Sequence, residues 1–166
     1  MRNSLRRPAA GWKAKQWPSA YYSRLARLLA DGLGWPLVLN CSPGERVEVE
    51  AIVREAPRDS CVVNVSSVEG LIGVTRHARA VVGVDSGPLH LAAALGKAGV
   101  ALFGPTDPAR NGPYGDSFTT LRAAEAVTTH KRRRSIAPSM LALEPESVFQ
   151  ALEMQISRTS VLEPHR

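Results

Sequence analysis

The sequence lacks any long apolar run: none approaches the roughly 18 to 20 residues that a helix needs to cross a bilayer. The first 15 residues carry positive charge, but no apolar segment follows them, so we do not expect them to be a secretory signal. A cytoplasmic location is therefore the simplest interpretation.

Cysteine is scarce as well, with only Cys41 and Cys61, each inside an apolar run. Neither is flanked by further metal ligands at short spacing, and the four histidines are far apart in the sequence. We therefore expect two buried free thiols, no metal site and no cofactor.

Several well-known catalytic and nucleotide-binding motifs are also missing. Ser86 is flanked by Val84 and Pro88, so the G-x-S-x-G motif around a hydrolase nucleophile is absent. No G-x-G-x-x-G follows a predicted strand, which argues against a dinucleotide-binding fingerprint, and no G-x-x-x-x-G-K-[ST] phosphate loop occurs.

The composition is that of an ordinary globular protein. Hydrophobic residues make up 44% and charged residues 22%, which argues against wholesale disorder, and 166 residues suggest one domain. The net charge of +6 is compatible with anionic partners. The densest basic run, residues 131–134, contains no aromatic residue, so we predict a solvated loop and no nucleic-acid partner.

Short apolar runs alternate with segments of helical periodicity. The predicted strands are 37–41, 61–65, 80–84, 99–103 and, more weakly, 118–121. The predicted helices are 19–33, 45–55, one that runs from a capping box of Ser66 and Glu69 to about residue 78, 88–95 and 145–156. This alternation predicts an α/β fold, a Rossmann-like doubly wound parallel sheet that is covered on both faces. We assign residues 1–157 to this domain and 158–166 to a frayed tail.

The front of the chain does not match a complete first strand. Residues 1–11 contain only Met1 and Leu5 as large apolar residues before Pro8, whereas the first strand of a doubly wound domain lies centrally and is buried. We therefore expect the first strand to be truncated or eroded. If residues 2–7 fill its position, their three arginines must point out of the sheet or reach its ends.

Residues 82–115 carry the most informative chemistry. A buried strand ends at Val84, the chain turns through Asp85, Ser86 and Gly87, and a helix of small residues follows. Ligands of open α/β sheets sit at the carboxyl ends of the strands, and a helix N-terminus there suits a phosphate. His90, one turn into the helix, can add a donor or a charge. Alternatively, Ser86 only caps the helix and His90 packs beneath a loop.

Two other segments reach the same edge of the predicted sheet. The loop that contains Thr106 and Asp107 follows the next strand, and it either walls the pocket or forms a rigid turn without ligand contact. Lys15 precedes the first long helix, where it can neutralise a phosphate or lie on the surface without a ligand.

The blocks DSGPLHLAAALG and VALFGPTDPARNGPYG together resemble the signature of glycosyltransferase family 9, the ADP-heptose:lipopolysaccharide heptosyltransferases. The resemblance extends from GWKAKQWP near the start to SMLALEPESVFQAL near the end. It implies the C-terminal half of a GT-B glycosyltransferase, in which two Rossmann-like domains face each other across a cleft. In this family the C-terminal domain holds the ADP-sugar, and the N-terminal domain holds the acceptor and the proposed catalytic aspartate.

The resemblance assigns a role to several residues. Lys15 matches the lysine that contacts the donor phosphate and sugar, Glu45 matches the acid that binds the adenosine ribose, and Ser66 stands where a larger apolar residue is expected against the adenine. The block that is expected to hold the diphosphate and the adjacent sugar comprises Asp85, Ser86, Gly87 and His90.

This resemblance implies the donor half of an inverting, metal-independent heptosyltransferase that moves heptose from ADP-heptose to a lipopolysaccharide core acceptor. With no catalytic base expected on this chain, it should bind the donor without turnover. A different nucleotide sugar, a non-catalytic binding module that acts with a separately encoded half, and a fragment without function stay open. Two departures from the family pattern are Ala10 and Gly11, which replace a polar pair, and residues 130–140, which hold KRRRS in place of cysteines. The added basic charge favours an anionic acceptor or peripheral contact with the inner membrane.

Overall fold

The computed structural model describes residues 3–6, 12–131 and 134–162, with the backbone alone for 3–6 and 160–162. Its strands are β1 (Asn3–Arg6), β2 (Leu37–Cys41), β3 (Cys61–Val65), β4 (Ala78–Val84), β5 (Gly99–Phe103) and β6 (Phe118–Arg122). Its α-helices are α1 (Ser19–Leu33), α2 (Arg46–Glu55), α3 (Val68–His77), α4 (Gly87–Ala94), α5 (Pro108–Asn111), α6 (Pro138–Leu141) and α7 (Pro145–Leu162). Single 3-10 turns precede α1 and α2, at Lys13–Lys15 and Pro43–Glu45.

The six strands form one parallel sheet in the order β3-β2-β1-β4-β5-β6. This order confirms the predicted Rossmann-like doubly wound fold, in which the chain reverses direction across the sheet between β1 and β4. Every residue of β2 and β5 is buried, as expected for strands that are covered on both faces. Of the predicted strands, β4 begins two residues earlier than expected and β6 ends one residue later.

The backbone of β1 occupies the central position where the sequence predicts an eroded strand. It pairs with β2 on one side and β4 on the other, with Leu5 opposite both Val38 and Val81. The strand is short, at four residues, but the central slot is filled. The arginine side chains at positions 2, 6 and 7 lie outside the described residues.

Several helix boundaries differ from the prediction: α2 begins at 46 and not at 45, and α4 spans 87–94 and not 88–95. The differences at α3 and α7 have identifiable reasons. The capping box predicted at Ser66 and Glu69 is wrong: Ser67 is the N-cap of α3, and its hydroxyl accepts from the Gly70 N–H at 3.4 Å. The Ser66 hydroxyl lies against Asn40 instead and donates to its Oδ1 at 2.7 Å.

Helix α7 continues to Leu162, past the predicted end at residue 156. Residues 158–162, expected to be frayed, are therefore helical, whereas 163–166 lie outside the described residues. The physical reason is that the sequence has no helix breaker before Pro164.

Two layers of apolar packing cover the sheet. Helices α1, α2, α6 and α7 contribute to the larger cluster, and α3 and α4 to the smaller one. In the larger cluster Trp17 is 2% exposed, and its Nε1–H donates to the Leu143 carbonyl at 2.7 Å. This bond connects the segment before α1 to the segment before α7. Lys15 precedes Trp17 by two residues, so the bond also anchors the backbone that carries Lys15.

Both cysteines are buried thiols that are not in a disulfide within the described structure. In the paired strands Cys61 lies opposite Leu37, whereas Cys41 lies opposite Val65, so the two cysteines are four positions apart along the ladder. Burial raises the pKa of the Cys61 thiol to about 12.

We expect neither thiol to react readily with iodoacetamide at pH 8. The thiolate is the reactive form, and an elevated pKa together with burial should slow alkylation at Cys61 at least about 100-fold relative to the unfolded chain. Mass spectrometry of the native and denatured protein measures this. Two labels after denaturation and none before are expected, and rapid labelling of Cys61 in the native state would contradict its burial.

In the part of the chain that the structure describes, no helix combines the length and the apolar character needed to cross a membrane.

Candidate functional site

The carboxyl ends of β1 and β4 bring together two residues that are 70 positions apart in the sequence. Lys15 lies on the 3-10 turn after β1, and Asp85 follows the last residue of β4. Lys15 Nζ donates to Asp85 Oδ2 at 2.6 Å, and the two side chains are 18% and 10% exposed. Lys15 is therefore a held, largely buried cation and not a solvated surface lysine.

His90 approaches the same carboxylate from helix α4. Its Nε2 lies 3.9 Å from Asp85 Oδ1, the oxygen that does not face Lys15. This distance is too long for a direct hydrogen bond. The imidazole is 45% exposed, so His90 does not pack beneath a loop. The Asp85 carboxylate thus lies between the Lys15 ammonium and the accessible His90 imidazole, and all three groups are at the carboxyl edge of the sheet.

The start of α4 presents one backbone donor to this region. The Ser86 hydroxyl donates to the Val84 carbonyl at 3.0 Å and does not cap the helix. Pro88 has no N–H, and the Leu89 N–H donates to the Ser86 carbonyl at 3.1 Å. Of the first three helical residues, Gly87 is thus the one whose N–H can turn to a ligand. Apart from its chain neighbours and its own helix backbone, no atom of the described residues lies within 4 Å of the position that a Gly87 Cβ would occupy, so the space beside it is open.

Trp12 is a further residue of this cluster, and the sequence analysis missed it. Lys15 Nζ lies 4.9 Å from the centroid of the Trp12 ring, within the range of a cation–π interaction. The Trp12 Nε1 atom is buried and has no hydrogen-bond partner among the described residues. Both residues belong to the motif GWKAKQWP. Their spacing of three residues did not predict that the 3-10 turn would place the Lys15 ammonium over the Trp12 ring.

Glu45 and Ser66 lie at the same edge, after β2 and β3. Glu45 closes a capping box with Ser42: its Oε2 accepts from the Ser42 N–H at 2.8 Å and from the Ser42 hydroxyl at 2.6 Å. Ser66 and Asn64 both donate to Asn40 Oδ1 at 2.7 Å. These bonds hold the Glu45 carboxylate and the Ser66 hydroxyl in defined orientations. The supporting roles of Ser42 and Asn40 were not predicted.

The two predicted site residues in the loop after β5, Thr106 and Asp107, have different surroundings. Asp107 is the N-cap of α5, with Oδ1 accepting from the Ala109 N–H at 3.0 Å, so its carboxylate stabilises a turn. Thr106 is 3% exposed, and its Oγ1 has no hydrogen-bond partner in the described part of the chain. Gly104 packs against α6, where a Cβ would lie 2.7 Å from Met140 Cγ.

The candidate site therefore has two neighbouring groups. The first contains Lys15, His90 and the Gly87 N–H, at the carboxyl ends of β1 and β4. The second contains Glu45 and Ser66, after β2 and β3. An anion can bind at the first group through Lys15 and the Gly87 N–H, with His90 at its margin. Within residues 3–6, 12–131 and 134–162, no set of three or more His, Cys, Asp or Glu side chains is arranged to hold a metal ion.

Two heptosyltransferases are similar to this chain in sequence. Lipopolysaccharide heptosyltransferase 1 of Pseudomonas aeruginosa is 37% identical over 106 residues, which are 64% of this chain and 30% of that protein. Lipooligosaccharide heptosyltransferase 2 of Haemophilus influenzae is 28% identical over 154 residues, which are 87% and 44% of the two chains. The chain thus spans less than half the length of these relatives.

Solved structures agree with the fold. The Escherichia coli ADP-heptose lipopolysaccharide heptosyltransferase II superimposes with a TM-score of 0.84 at 24% identity, over 96% of this chain and 47% of that chain. The Escherichia coli heptosyltransferase WaaC with ADP superimposes with a TM-score of 0.76 at 27% identity, over 93% and 44%.

A sequence model of the family described as glycosyltransferase family 9 (heptosyltransferase) matches residues 3–140. This range covers both β1 and β4, and it includes Lys15, Asp85 and His90. The chain therefore belongs to glycosyltransferase family 9.

Proposed function

We propose that this chain is the donor-binding half of a GT-B heptosyltransferase and that it binds ADP-heptose at the carboxyl edge of its sheet. The observation that carries the proposal is the cluster of Lys15, Asp85 and His90 at the start of α4. Family membership and a structural relative that was solved with ADP support the choice of ligand.

The diphosphate would bind between Lys15 and the N-terminus of α4. Lys15 supplies a positive charge, Gly87 supplies a backbone N–H beside open space, and His90 adds a donor at the rim. Asp85 does not face the anion in this arrangement. It holds the Lys15 ammonium in place through the 2.6 Å ion pair, so that less side-chain entropy is lost when the phosphate binds.

The adenosine would extend toward β2 and β3. A carboxylate accepts well from the hydroxyls of a ribose, and the capping box already orients Glu45 for this. Ser66 offers a small, polar surface to the base where a larger apolar side chain is expected in the family. A different nucleotide sugar is therefore the closest alternative, and nucleotide selectivity tests it directly.

In the transfer reaction, the bond between the sugar's anomeric carbon and the β-phosphate oxygen breaks, and an acceptor hydroxyl forms the new bond with inversion. Negative charge develops on the departing ADP, and Lys15 together with the α4 N-terminus would stabilise it. The base that removes the acceptor proton is expected on the N-terminal domain of the family, so we propose that this chain alone binds the donor without transferring heptose.

The acceptor of the whole enzyme would be a lipopolysaccharide core, reached in the cytoplasm at the inner face of the inner membrane. Exposed basic residues near the carboxyl edge, such as Lys131 and Arg134, would favour such an anionic surface.

Calorimetric titration of the purified chain with ADP, UDP and GDP tests the proposal. We expect ADP to bind and the other two to bind at least about 10-fold more weakly, because the adenosine contacts discriminate between bases. Equal affinities would reject the adenine preference, and no binding of any nucleotide by the folded chain would reject the donor site. Heptose transfer by this chain alone would contradict the proposal that the catalytic base lies on a different domain from the donor site.

A further inference from the structure

Trp12 lies beside the Lys15 ammonium but has no role among the proposed donor contacts. Its side chain is partly buried and packs against the larger apolar cluster. The Lys15 N–H donates to the Trp12 carbonyl at 3.0 Å, which closes the 3-10 turn that carries Lys15. This turn brings the two side chains together, with Lys15 Nζ 4.9 Å from the centroid of the indole ring.

The backbone around Lys15 is fixed on both sides. Ala14, which precedes it, is 1% exposed, and its carbonyl accepts from the Ala137 N–H at 3.2 Å. Two residues after Lys15, the Trp17 indole N–H donates to the Leu143 carbonyl at 2.7 Å. The direction of the long Lys15 side chain is therefore the variable that other side chains have to fix.

Two side chains act on the direction of the Lys15 ammonium. Asp85 Oδ2 accepts from Nζ at 2.6 Å, and the face of the Trp12 ring attracts the same positive charge. An ammonium has three N–H donors, and attraction to a ring face requires none of them to form a conventional hydrogen bond. Trp12 can therefore hold the charge while the donors turn to a phosphate.

Asp85 and Trp12 respond differently to an incoming anion. The Asp85 carboxylate is negative, so it repels a phosphate and competes with it for the Lys15 ammonium. The Trp12 ring carries no net charge, and its attraction to a cation becomes stronger when water is removed. A bound diphosphate would cover the 18% of the Lys15 side chain that is exposed. The contact with Trp12 thus stays favourable in both the free and the bound chain.

We propose that Trp12 is a positioning residue of the donor site: its ring holds the Lys15 ammonium where the diphosphate binds. Trp12 acts through Lys15 and does not contact the nucleotide. The inference rests on the proposed donor site, because a diphosphate has to bind at Lys15 for this positioning to change an affinity. It gives a role in donor binding to a residue that lies outside the Asp85 to His90 block.

Calorimetric titration of ADP into variants of the full chain tests this role. Trp12→Leu keeps an apolar side chain but removes the ring, and we expect ADP to bind about 5-fold more weakly. Trp12→Phe restores an aromatic face, so its affinity should stay within about twofold of the original. Trp35→Leu is the matched control, because Trp35 is a partly buried member of the same apolar cluster that precedes the opposite, amino end of β2. It should also stay within about twofold.

A double-mutant cycle separates positioning from packing. In a chain that carries Lys15→Met, the further change Trp12→Leu should alter ADP affinity by less than about twofold, because the ammonium that the ring positions is gone. A ring that served only to pack the core would lose the same factor with and without Lys15.

The indole N–H signals in a nuclear magnetic resonance spectrum give a second readout on the unaltered chain. The sequence has three tryptophans, so three such signals are expected, and single replacements by phenylalanine assign them. Saturation with ADP should shift the Trp12 signal, because the phosphate changes the charge in front of its ring. The Trp17 signal should stay in place, since its N–H is bonded to the Leu143 carbonyl in the core.

Three results would each overturn the inference while leaving the donor site intact. They are equal affinities or equal losses in Trp12→Leu and Trp12→Phe, an undiminished effect of Trp12→Leu in the Lys15→Met chain, and a Trp12 signal that bound ADP does not shift. If the original chain binds no ADP, the proposed donor site fails, and the inference fails with it.

Discussion

Replacement of Lys15 by alanine is expected to weaken ADP binding roughly 10- to 100-fold. A hydrogen bond to a charged group contributes about 1.5–3 kcal/mol, and Lys15 is the cation that the fold holds at the proposed diphosphate site. Calorimetric titration of ADP into the variant measures the loss.

The control for this change is Lys13→Ala. Lys13 lies on the same 3-10 turn, but it is exposed, and its substitution removes the same charge. It should weaken ADP binding by less than about twofold, because exposed charges interact weakly at physiological salt. Equal losses in the two variants would show that net charge, and not the geometry of Lys15, governs binding.

Lys15→Ala also leaves the Asp85 carboxylate buried and unpaired, which destabilises the fold. The double variant Lys15→Met and Asp85→Asn removes both charges while keeping similar volumes, so it should recover most of the lost stability. ADP binding should stay weak in the double variant. Recovery of binding together with stability would mean that Lys15 acts only through the fold.

Gly99→Ala is expected to lower the free energy of unfolding by about 3 kcal/mol. Gly99 begins β5, and a Cβ there would overlap the backbone carbonyl oxygen of Val81 in β4 and the ring of Phe118 in β6. The Phe118 ring can rotate, but the Val81 carbonyl belongs to the central part of the sheet and cannot move without disturbing strand pairing. Chemical denaturation followed by circular dichroism measures the change.

Gly73→Ala is the matched substitution with the opposite expected sign. Gly73 lies inside α3, and no atom of the described residues outside its chain neighbours and its own helix backbone lies within 4 Å of the position that a Cβ would occupy. Alanine is the better helix former by about 0.8–1 kcal/mol, so stability should rise by up to that amount. Similar destabilisation by both variants would contradict the close approach at Gly99.

Local patterns in the sequence predicted most of the fold. Strands β2, β3 and β5 and helix α1 have the predicted bounds, because an apolar run or an amphipathic period is a property of a few neighbouring residues. The parallel topology then placed Lys15, Asp85 and His90 at one edge before any distance was known. The predicted cap of α3 was wrong by one residue: Ser67 caps the helix, and the Ser66 hydroxyl donates to the distant Asn40.

The sequence by itself determined the α/β class and the edge of the sheet where the candidate site lies, since both follow from short-range periodicity and strand direction. Only the tertiary structure decided which groups meet there. The ion pair of Lys15 and Asp85 joins residues from distant parts of the chain, and the Trp17 side chain hydrogen-bonds to the backbone of Leu143, 126 positions later. Such contacts depend on the packing of the whole domain, so no local pattern of residues specifies them.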